Sequence, residues 1–320
     1  MPIKNERWIL ETTIPQLKKF ADEILCLDAG STDGTIEYLK SMGVEVRQQK
    51  EQKINFSAWR KEVLEWGREH GGTHFIWLDA DEAFTTNFLG TKNGGIPFRE
   101  RLARMKPGEK LALQWLCLWK NPRVYRNDKS VWTNLYKDFI VCDDSAISFD
   151  NTLLHEGRTP GPNTNITGSK TWTKIPLEEG GVLHFQFVPF ERFQAKQAYQ
   201  RCREYVMDTG SPWRINNKYS QTLDTPSART LPIPPAWLDG ITGLDSVKNA
   251  ETGWYIDAVF AFFNEKGEKG IAYFEPLQIW NVPEFRERFV KEMGREPKPR
   301  TAPAILVKLN SLKNKIIRKS

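Results

Sequence analysis

The stretch His74–Glu82, HFIWLDADE, constrains this chain more than any other. Phe75, Ile76, Trp77 and Leu78 form a short apolar run that ends abruptly in Asp79-Ala80-Asp81-Glu82, and Gly71-Gly72 sets a turn in front of it. That order predicts a buried strand entered from a turn. In an open α/β sheet, ligands bind just beyond the carboxyl ends of strands. Three acids packed at such an end repel one another, and a cation must offset the repulsion. Oxygen-rich groups of this kind suit Mg2+ or Mn2+, with substrate phosphates completing the shell. A solvated acidic turn would be written with the same letters, so the rest of the first half of the chain has to decide.

That half reads as repeated strand-loop-helix units. Trp8-Ile9-Leu10, Ile14, Leu17 and Phe20-Ala21 recur at roughly helical spacing, interrupted by Pro15. Glu23–Asp28, EILCLD, is β-rich and leads into Ala29-Gly30-Ser31-Thr32-Asp33-Gly34-Thr35, then the amphipathic Ile36–Lys40. This is the order of a βα unit. Its loop offers backbone N–H groups, small hydroxyls and a helix start, which can hold a nucleotide or phosphate but are also good turn chemistry. The loop is neither a Walker loop nor G-x-G-x-x-G. Gly43–Arg47 gives a third short strand. Asn55–Trp66 places Phe56, Trp59, Val63 and Trp66 at three- and four-residue intervals, an amphipathic helix with Asn55 or Ser57 near its start. Arg60 sits beside that stripe, either as a snorkelling surface arginine or as a site residue.

KNERWIL, FADEILCLDAGSTDGT, NFSAWRKEVLEWG and HFIWLDADEAF, in that order and spacing, resemble the nucleotide-binding half of family 2 glycosyltransferases of the GT-A fold. The resemblance is close over residues 1–90 and looser towards residue 200. It implies an α/β fold, a Rossmann-like, mixed but mostly parallel sheet flanked by helices, followed here by a C-terminal extension. It implies that Asp28 contacts the base and ribose of a nucleotide-sugar, with Ser31 to Asp33 near the same moiety. It places Arg60 on the nucleotide-phosphate side, and Asp79 and above all Asp81 on a divalent cation, Mn2+ or Mg2+, that grips the diphosphate. Two departures matter. Asp28-Ala29 stands where the family often has Asp-Asp. The usual first strand is also reduced to three residues before KNE, so that either translation starts late or part of a strand and its nucleotide contacts are missing.

Beyond the acids, Lys110–Leu118 is an apolar strand, and Trp119–Trp132 is basic and aromatic, fit for a sugar or diphosphate acceptor or for edge-strand packing. Inverting glycosyl transfer needs a carboxylate to take the acceptor hydroxyl's proton. The family usually supplies it from an acidic pair after the D-x-D, and no Glu-Asp dipeptide occurs in this chain. His155-Glu156 resembles the His-Glu of lipopolysaccharide-core-type relatives, which makes Glu156 the expected base, with Asp150 and Asp144 as rivals and a loop ion pair to Arg158 as the alternative. Gly180–Phe187 alternates into a strand holding His184. That histidine is either a third metal ligand beside the carboxylates, as in many GT-A enzymes, or a core histidine. Phe190–Met207 is a helix that closes the first domain.

After Thr209 the texture turns proline- and tryptophan-rich, with two aromatic elements, Gly253–Phe263 and Gly270–Trp280. The expected organisation is therefore a GT-A domain over 1–208, an extension over 209–300 and a basic tail over 301–320. In that tail Ile305, Leu306, Leu309, Leu312 and Ile316 share one helical face opposite lysines, which suits either an anionic membrane surface or a packing helix.

Charge and cysteine usage narrow the partners. The chain carries +6, yet Lys298, Arg300, Lys308, Lys313, Lys315, Arg318 and Lys319 lie beyond the last acid; without them 39 basic residues face 40 acidic ones. The basicity belongs to the tail, which excludes a nucleic-acid-binding body. Four scattered cysteines with no C-x-x-C fit a reducing compartment, and no signal peptide or membrane span is visible. The sequence thus predicts a cytoplasmic, metal-dependent, inverting glycosyltransferase, with contact at the inner membrane face open through the tail. It would take a nucleotide-diphosphate sugar as donor and a glycan, lipid-linked or protein acceptor. The competing expectation is a GT-A-fold nucleotide-sugar- or glycan-binding protein that has lost catalysis, motivated by the short first strand and Ala29.

Overall fold

The computed structural model describes residues 1–49, 55–90, 97–128, 133, 135–149, 158–161, 172–220 and 229–300. The chain divides into two compact units, Met1–Pro189 with Ser227–Ala250, and Phe190–Pro226 with Glu251–Ser320. The sequence expectation set a boundary at 208/209. In the structure the helix at Phe190–Val206 packs within the second unit, and a later segment returns to the first.

The first unit opens with β1 (Pro2–Ile3), α1 (Arg7–Leu17), β2 (Leu25–Asp28), α2 (Thr35–Ser41), β3 (Glu45–Gln48) and α3 (Phe56–Glu69). It continues through β4 (His74–Ile76), β5 (Glu82–Phe84), α4 (Thr86–Leu89), α5 (Phe98–Ala103) and β6 (Lys110–Cys117). Then follow β7 (Val124–Arg126), β8 (Tyr136–Cys142), β9 (Trp172–Lys174) and β10 (Gly181–His184). Strands β1, β2 and β3 form a parallel sheet in the order β1-β2-β3. The second sheet is mixed, ordered β4-β8-β6-β10-β5 with β9 beside β6. Pairs β6–β10 and β6–β9 are parallel, whereas β4–β8, β6–β8 and β5–β10 are antiparallel. A parallel sheet flanked by helices agrees with the GT-A architecture expected from sequence.

Helix α3 forms for the reasons its sequence gives. The Asn55 side chain accepts from the Ala58 amide at 3.0 Å and caps the first turn. Trp59, Val63, Leu64 and Trp66 are buried, and with Leu27, Trp77, Val141 and Phe149 the first three make a core cluster beneath the acidic turn. Pro15, expected to interrupt α1, lies in its last turn and the helix runs through it. The apolar run Phe75–Leu78 is only half strand: β4 ends at Ile76, and Glu82 opens the separate strand β5. Trp119 and Arg126 are buried, with the guanidinium 4.5 Å from the indole centroid and paired to Asp128, so the Trp119–Arg126 pair is packing rather than an open acceptor surface. A short strand β11 (Thr230–Pro232) pairs antiparallel with β7.

The second unit is helical: α6 (Phe190–Val206), α7 (Pro212–Ser220), α8 (Tyr255–Glu265) and α9 (Pro283–Met293). Its core gathers Cys202, Ile215, Val259, Phe263, Phe274, Leu277 and Phe285. The aromatic stretch from Gly270 is a short 3-10 helix, Gly270–Phe274. Cys26, Cys117, Cys142 and Cys202 are buried free thiols. Burial pushes Cys26 up to about 11 and Cys117 up to about 12, and raises Cys142 and Cys202 as well. Among the described residues no helix is long and apolar enough to cross a membrane.

Candidate functional site

The loop after β2 is built around Asp28. The residue is fully buried, and its carboxylate accepts from the Gly30 amide at 2.9 Å, the Ser31 amide at 3.0 Å, the Ser31 hydroxyl at 2.5 Å and Gln48 Nε2 at 3.1 Å. Gly30 and Gly34 take φ of +87° and +85°, a conformation that favours glycine and lets the chain fold back over the carboxylate. A second set of bonds laces this loop to the turn after β1. The Asn5 amide donates to Ser31 Oγ at 2.8 Å, the Thr32 amide to Asn5 Oδ1 at 2.7 Å, and the Glu6 amide to Thr35 Oγ1 at 2.9 Å. Asp33 accepts from the Arg7 amide and the Thr35 amide, both at 3.1 Å, and so joins the starts of α1 and α2. Asp28, Ser31 and Asp33 therefore tie the two loops together, and the Asp28 carboxylate is engaged by its own loop and by Gln48 of β3.

The acidic turn lies between β4 and β5. Glu82 is fully buried and accepts from Arg158 Nη1 at 2.5 Å, Arg158 Nη2 at 2.9 Å, Trp115 Nε1 at 2.7 Å and the Asp79 amide at 2.8 Å. Arg158 Nη2 also reaches Asp79 Oδ2 at 3.2 Å, and Nη1 the Trp77 carbonyl at 3.3 Å. The guanidinium lies 4.8 Å from the Phe139 ring centroid and 5.8 Å from that of Trp115. Residue 159 anchors this arginine: the buried Thr159 hydroxyl donates to Asp138, which Lys110 Nζ approaches to 3.4 Å. Arg158 thus sets one positive charge of the chain's own against Asp79 and Glu82.

Strand register completes one wall. His184 stands opposite Glu82 on β5 and opposite Cys117 on β6, so Trp115, two residues along, shares its face. The His184 and Trp115 rings stack at 4.2 Å with 18° between planes, and Lys137 Nζ sits 3.7 Å from the Trp115 ring centroid. Burial pulls Lys137 down to about 8, and the Arg158 charge adds to the fall. Partial desolvation of the half-exposed Asp79 carboxyl acts to raise its pKa, but the charges of Arg158 and Arg60 outweigh it and hold the group below its ordinary value. For Glu82 burial wins over Arg158 and the pKa rises.

Asp79 feels the charges of Arg60, Asp81 and His184 as well as Arg158, which puts these side chains in one neighbourhood around the turn between β4 and β5. Asp81 Oδ2 and His184 Nε2 lie 3.6 Å apart, beyond a hydrogen bond but suited to two donors that share an ion. An oxygen and an imidazole nitrogen so placed fit a divalent cation. Asp79, expected as a further ligand, is turned to Arg158, and no group of three His, Cys, Asp or Glu among the described residues is arranged to hold a metal. Glu156, Asp150 and the tail 301–320 lie outside the described residues. Asp144, the rival base, follows β8 past Cys142, which pairs with His74 at the entry to β4, so it sits at the sheet end away from Asp79. Its carboxylate caps the Ala146 amide there. The sequence reading gave no site role to Arg158, Trp115 or Lys137. The alternation of Lys110–Leu118 could have put Trp115 on one sheet face, but nothing local marks what it meets.

Residues 1–91 match the family model described as glycosyl transferase family 2. The matched stretch carries the Asp28–Asp33 loop, Arg60 and the acidic turn, and ends before β6, Arg158 and His184. No curated protein matches the chain. The match covers 91 of the 320 residues and supports glycosyltransferase activity in general.

Proposed function

We propose that this protein transfers a glycosyl group from a nucleotide-diphosphate sugar to an acceptor hydroxyl, with inversion and with a divalent cation. The observation that carries the reading is the gathering of Asp79, Asp81, Arg60, Arg158 and His184 around the turn between β4 and β5. Asp81 and His184 would hold Mn2+ or Mg2+, which when bound neutralises the diphosphate leaving group. Asp28, Ser31 and Asp33 keep the loop after β2 in one shape, a fixed surface for the base and ribose of the donor. Arg60 adds positive charge on the phosphate side. Glu82 fixes the acidic turn by accepting the Asp79 amide and the Arg158 fork. Glu156 takes the proton of the attacking hydroxyl. Its choice rests on the likeness of His155-Glu156 to the His-Glu of lipopolysaccharide-core-type relatives. The acceptor is a glycan, a lipid-linked sugar or a protein, and the basic tail is the segment that would meet an anionic membrane face.

Titration calorimetry of UDP, GDP and dTDP, with and without Mn2+, tests this reading on the wild type and on Asp81→Asn. Tight, Mn2+-dependent binding of one nucleotide, lost in Asp81→Asn with the fold retained, is the expected result. Full Mn2+-dependent binding in that variant would overturn the metal assignment. A second reading, donor binding without transfer, is favoured by the engagement of the Asp28 carboxylate with its own loop. Binding without turnover of the sugar nucleotide in the presence of acceptors would select it.

A further inference from the structure

The guanidinium of Arg158 offers two unlike edges. One forks onto Glu82, which is fully buried and held besides by Trp115 and the Asp79 amide. The other is the second N–H of Nη2, whose first N–H belongs to the fork; it reaches Asp79 at 3.2 Å, longer than either contact to Glu82. Here the partner is not sealed in: the Asp79 side chain is about half exposed. Breaking the Glu82 fork would strand a buried carboxylate, whereas Asp79 can turn to solvent at little cost. The two bonds to Glu82 set the plane of the guanidinium, and the Phe139 ring 4.8 Å away packs near it, so the second N–H of Nη2 is already aimed when an anion arrives. A phosphate group accepts from such an edge with a charge-assisted bond at least as good as the carboxylate it displaces.

We propose that Arg158 is a diphosphate-binding residue. It pairs with Asp79 before the donor arrives, and passes the second N–H of Nη2 to the diphosphate on binding while its fork onto Glu82 stays in place. The assignment rests on the nucleotide-sugar reading of the site and adds to it a cation that the matched stretch 1–91 does not contain. It also gives the Asp79–Arg158 contact a purpose, as a placeholder that keeps the charge of the turn balanced until the donor supplies its own negative charge.

The test compares a nucleoside diphosphate with its nucleoside, so that the phosphates alone are read. UDP and uridine, GDP and guanosine, and dTDP and thymidine are titrated into the wild type, Arg158→Gln and Arg158→Lys, with thermal melts and near-UV circular dichroism as fold controls. For the base that the wild type binds, Arg158→Gln is expected to weaken the diphosphate about tenfold or more while nucleoside affinity stays within about twofold. Arg158→Lys keeps the charge but cannot serve Glu82 and a phosphate together, so it too is expected to weaken the diphosphate selectively. If Arg158→Gln fails to fold, Arg158→Lys decides alone. A folded variant with the wild-type ratio of diphosphate to nucleoside affinity overturns this assignment and leaves the donor reading intact. A wild type that binds none of the diphosphates overturns the donor reading, and the role of Arg158 falls with it.

Discussion

The Glu82–Arg158 pair makes a quantitative claim about burial. Glu82 has no exposed surface, the Arg158 side chain is 10% exposed, and the carboxylate accepts four hydrogen bonds from three different residues. Glu82→Gln keeps the shape and removes the charge. Its amide has one acceptor oxygen, so its nitrogen must face a donor: an Arg158 N–H, the Asp79 amide or the Trp115 indole. Removing one partner of a buried pair costs about 3–5 kcal/mol. Arg158 would keep Asp79 and the Trp77 carbonyl, so the lower end, about 3 kcal/mol, is expected. At about 2–4 °C per kcal/mol for a unit of this size, the melting midpoint should fall by about 6–12 °C. Urea unfolding followed by tryptophan fluorescence measures the change, with an unchanged denaturant slope as the sign that only stability has moved. The control is Glu11→Gln, which breaks the Arg7–Glu11 pair on the α1 surface, where the side chains are 35% and 59% exposed. That loss should stay under about 0.5 kcal/mol. If Glu82→Gln costs no more than Glu11→Gln, or if Glu82→Gln with Arg158→Gln is as unstable as the sum of the two single losses, the turn is not held by this pair.

Two further outcomes follow from the same wall and from α3. The folded-state pKa of Lys137, about 8 against an ordinary 10.5, means that between those values the unfolded chain keeps a proton that the folded chain has released. Stability must therefore rise with pH across that window. Lys137→Met, which has no such proton, should be the more stable protein at pH 7 and lose its advantage towards pH 10; urea midpoints that keep a constant gap would refute this. Asn55→Ala removes the side chain that accepts from the Ala58 amide and should cost about 1 kcal/mol by the same assay, whereas no change would mean that the cap contributes nothing to α3.

What could be read from the sequence is what depends on neighbours along the chain. The three- and four-residue spacing of Trp59, Val63 and Trp66 gave α3 and its buried face, and Asn55 before it gave the cap. The order of apolar run, glycine-rich polar loop and amphipathic stretch placed β2, the Asp28–Asp33 loop and α2. His184 was placed on a strand by the alternation around it, and the register with Glu82 then brought it to the acids. What escaped was made by residues far apart. Arg158 and Glu82 are separated by 76 positions, and a cation that balances an acidic turn from that distance has no local signature. The same pairing explains why Asp79 faces an arginine where the sequence suggested a metal. The bonds that Asp28 makes within its loop escaped for the opposite reason: they run from the Gly30 and Ser31 amides to the carboxylate, so local that they read as ordinary turn chemistry. The break of His74–Phe84 into two strands escaped because the Glu82 amide closes a turn onto the Asp79 carbonyl at 3.0 Å, a step that an apolar-then-acidic pattern does not announce.

The buried thiols give this chain a built-in pair of clocks. A thiol reagent attacks only a thiolate, and only when the surrounding structure opens to admit it. Cys26, Cys117 and Cys142 belong to the first unit, and Cys202 alone to the second. Under native conditions, the rate at which Cys202 is alkylated therefore reports how often the helical unit opens, and the rates at the other three report the opening of the sheets that carry the acidic turn. Mass spectrometry of the peptides would time both units in the same tube, with no introduced label, and would show which of them a nucleotide diphosphate slows.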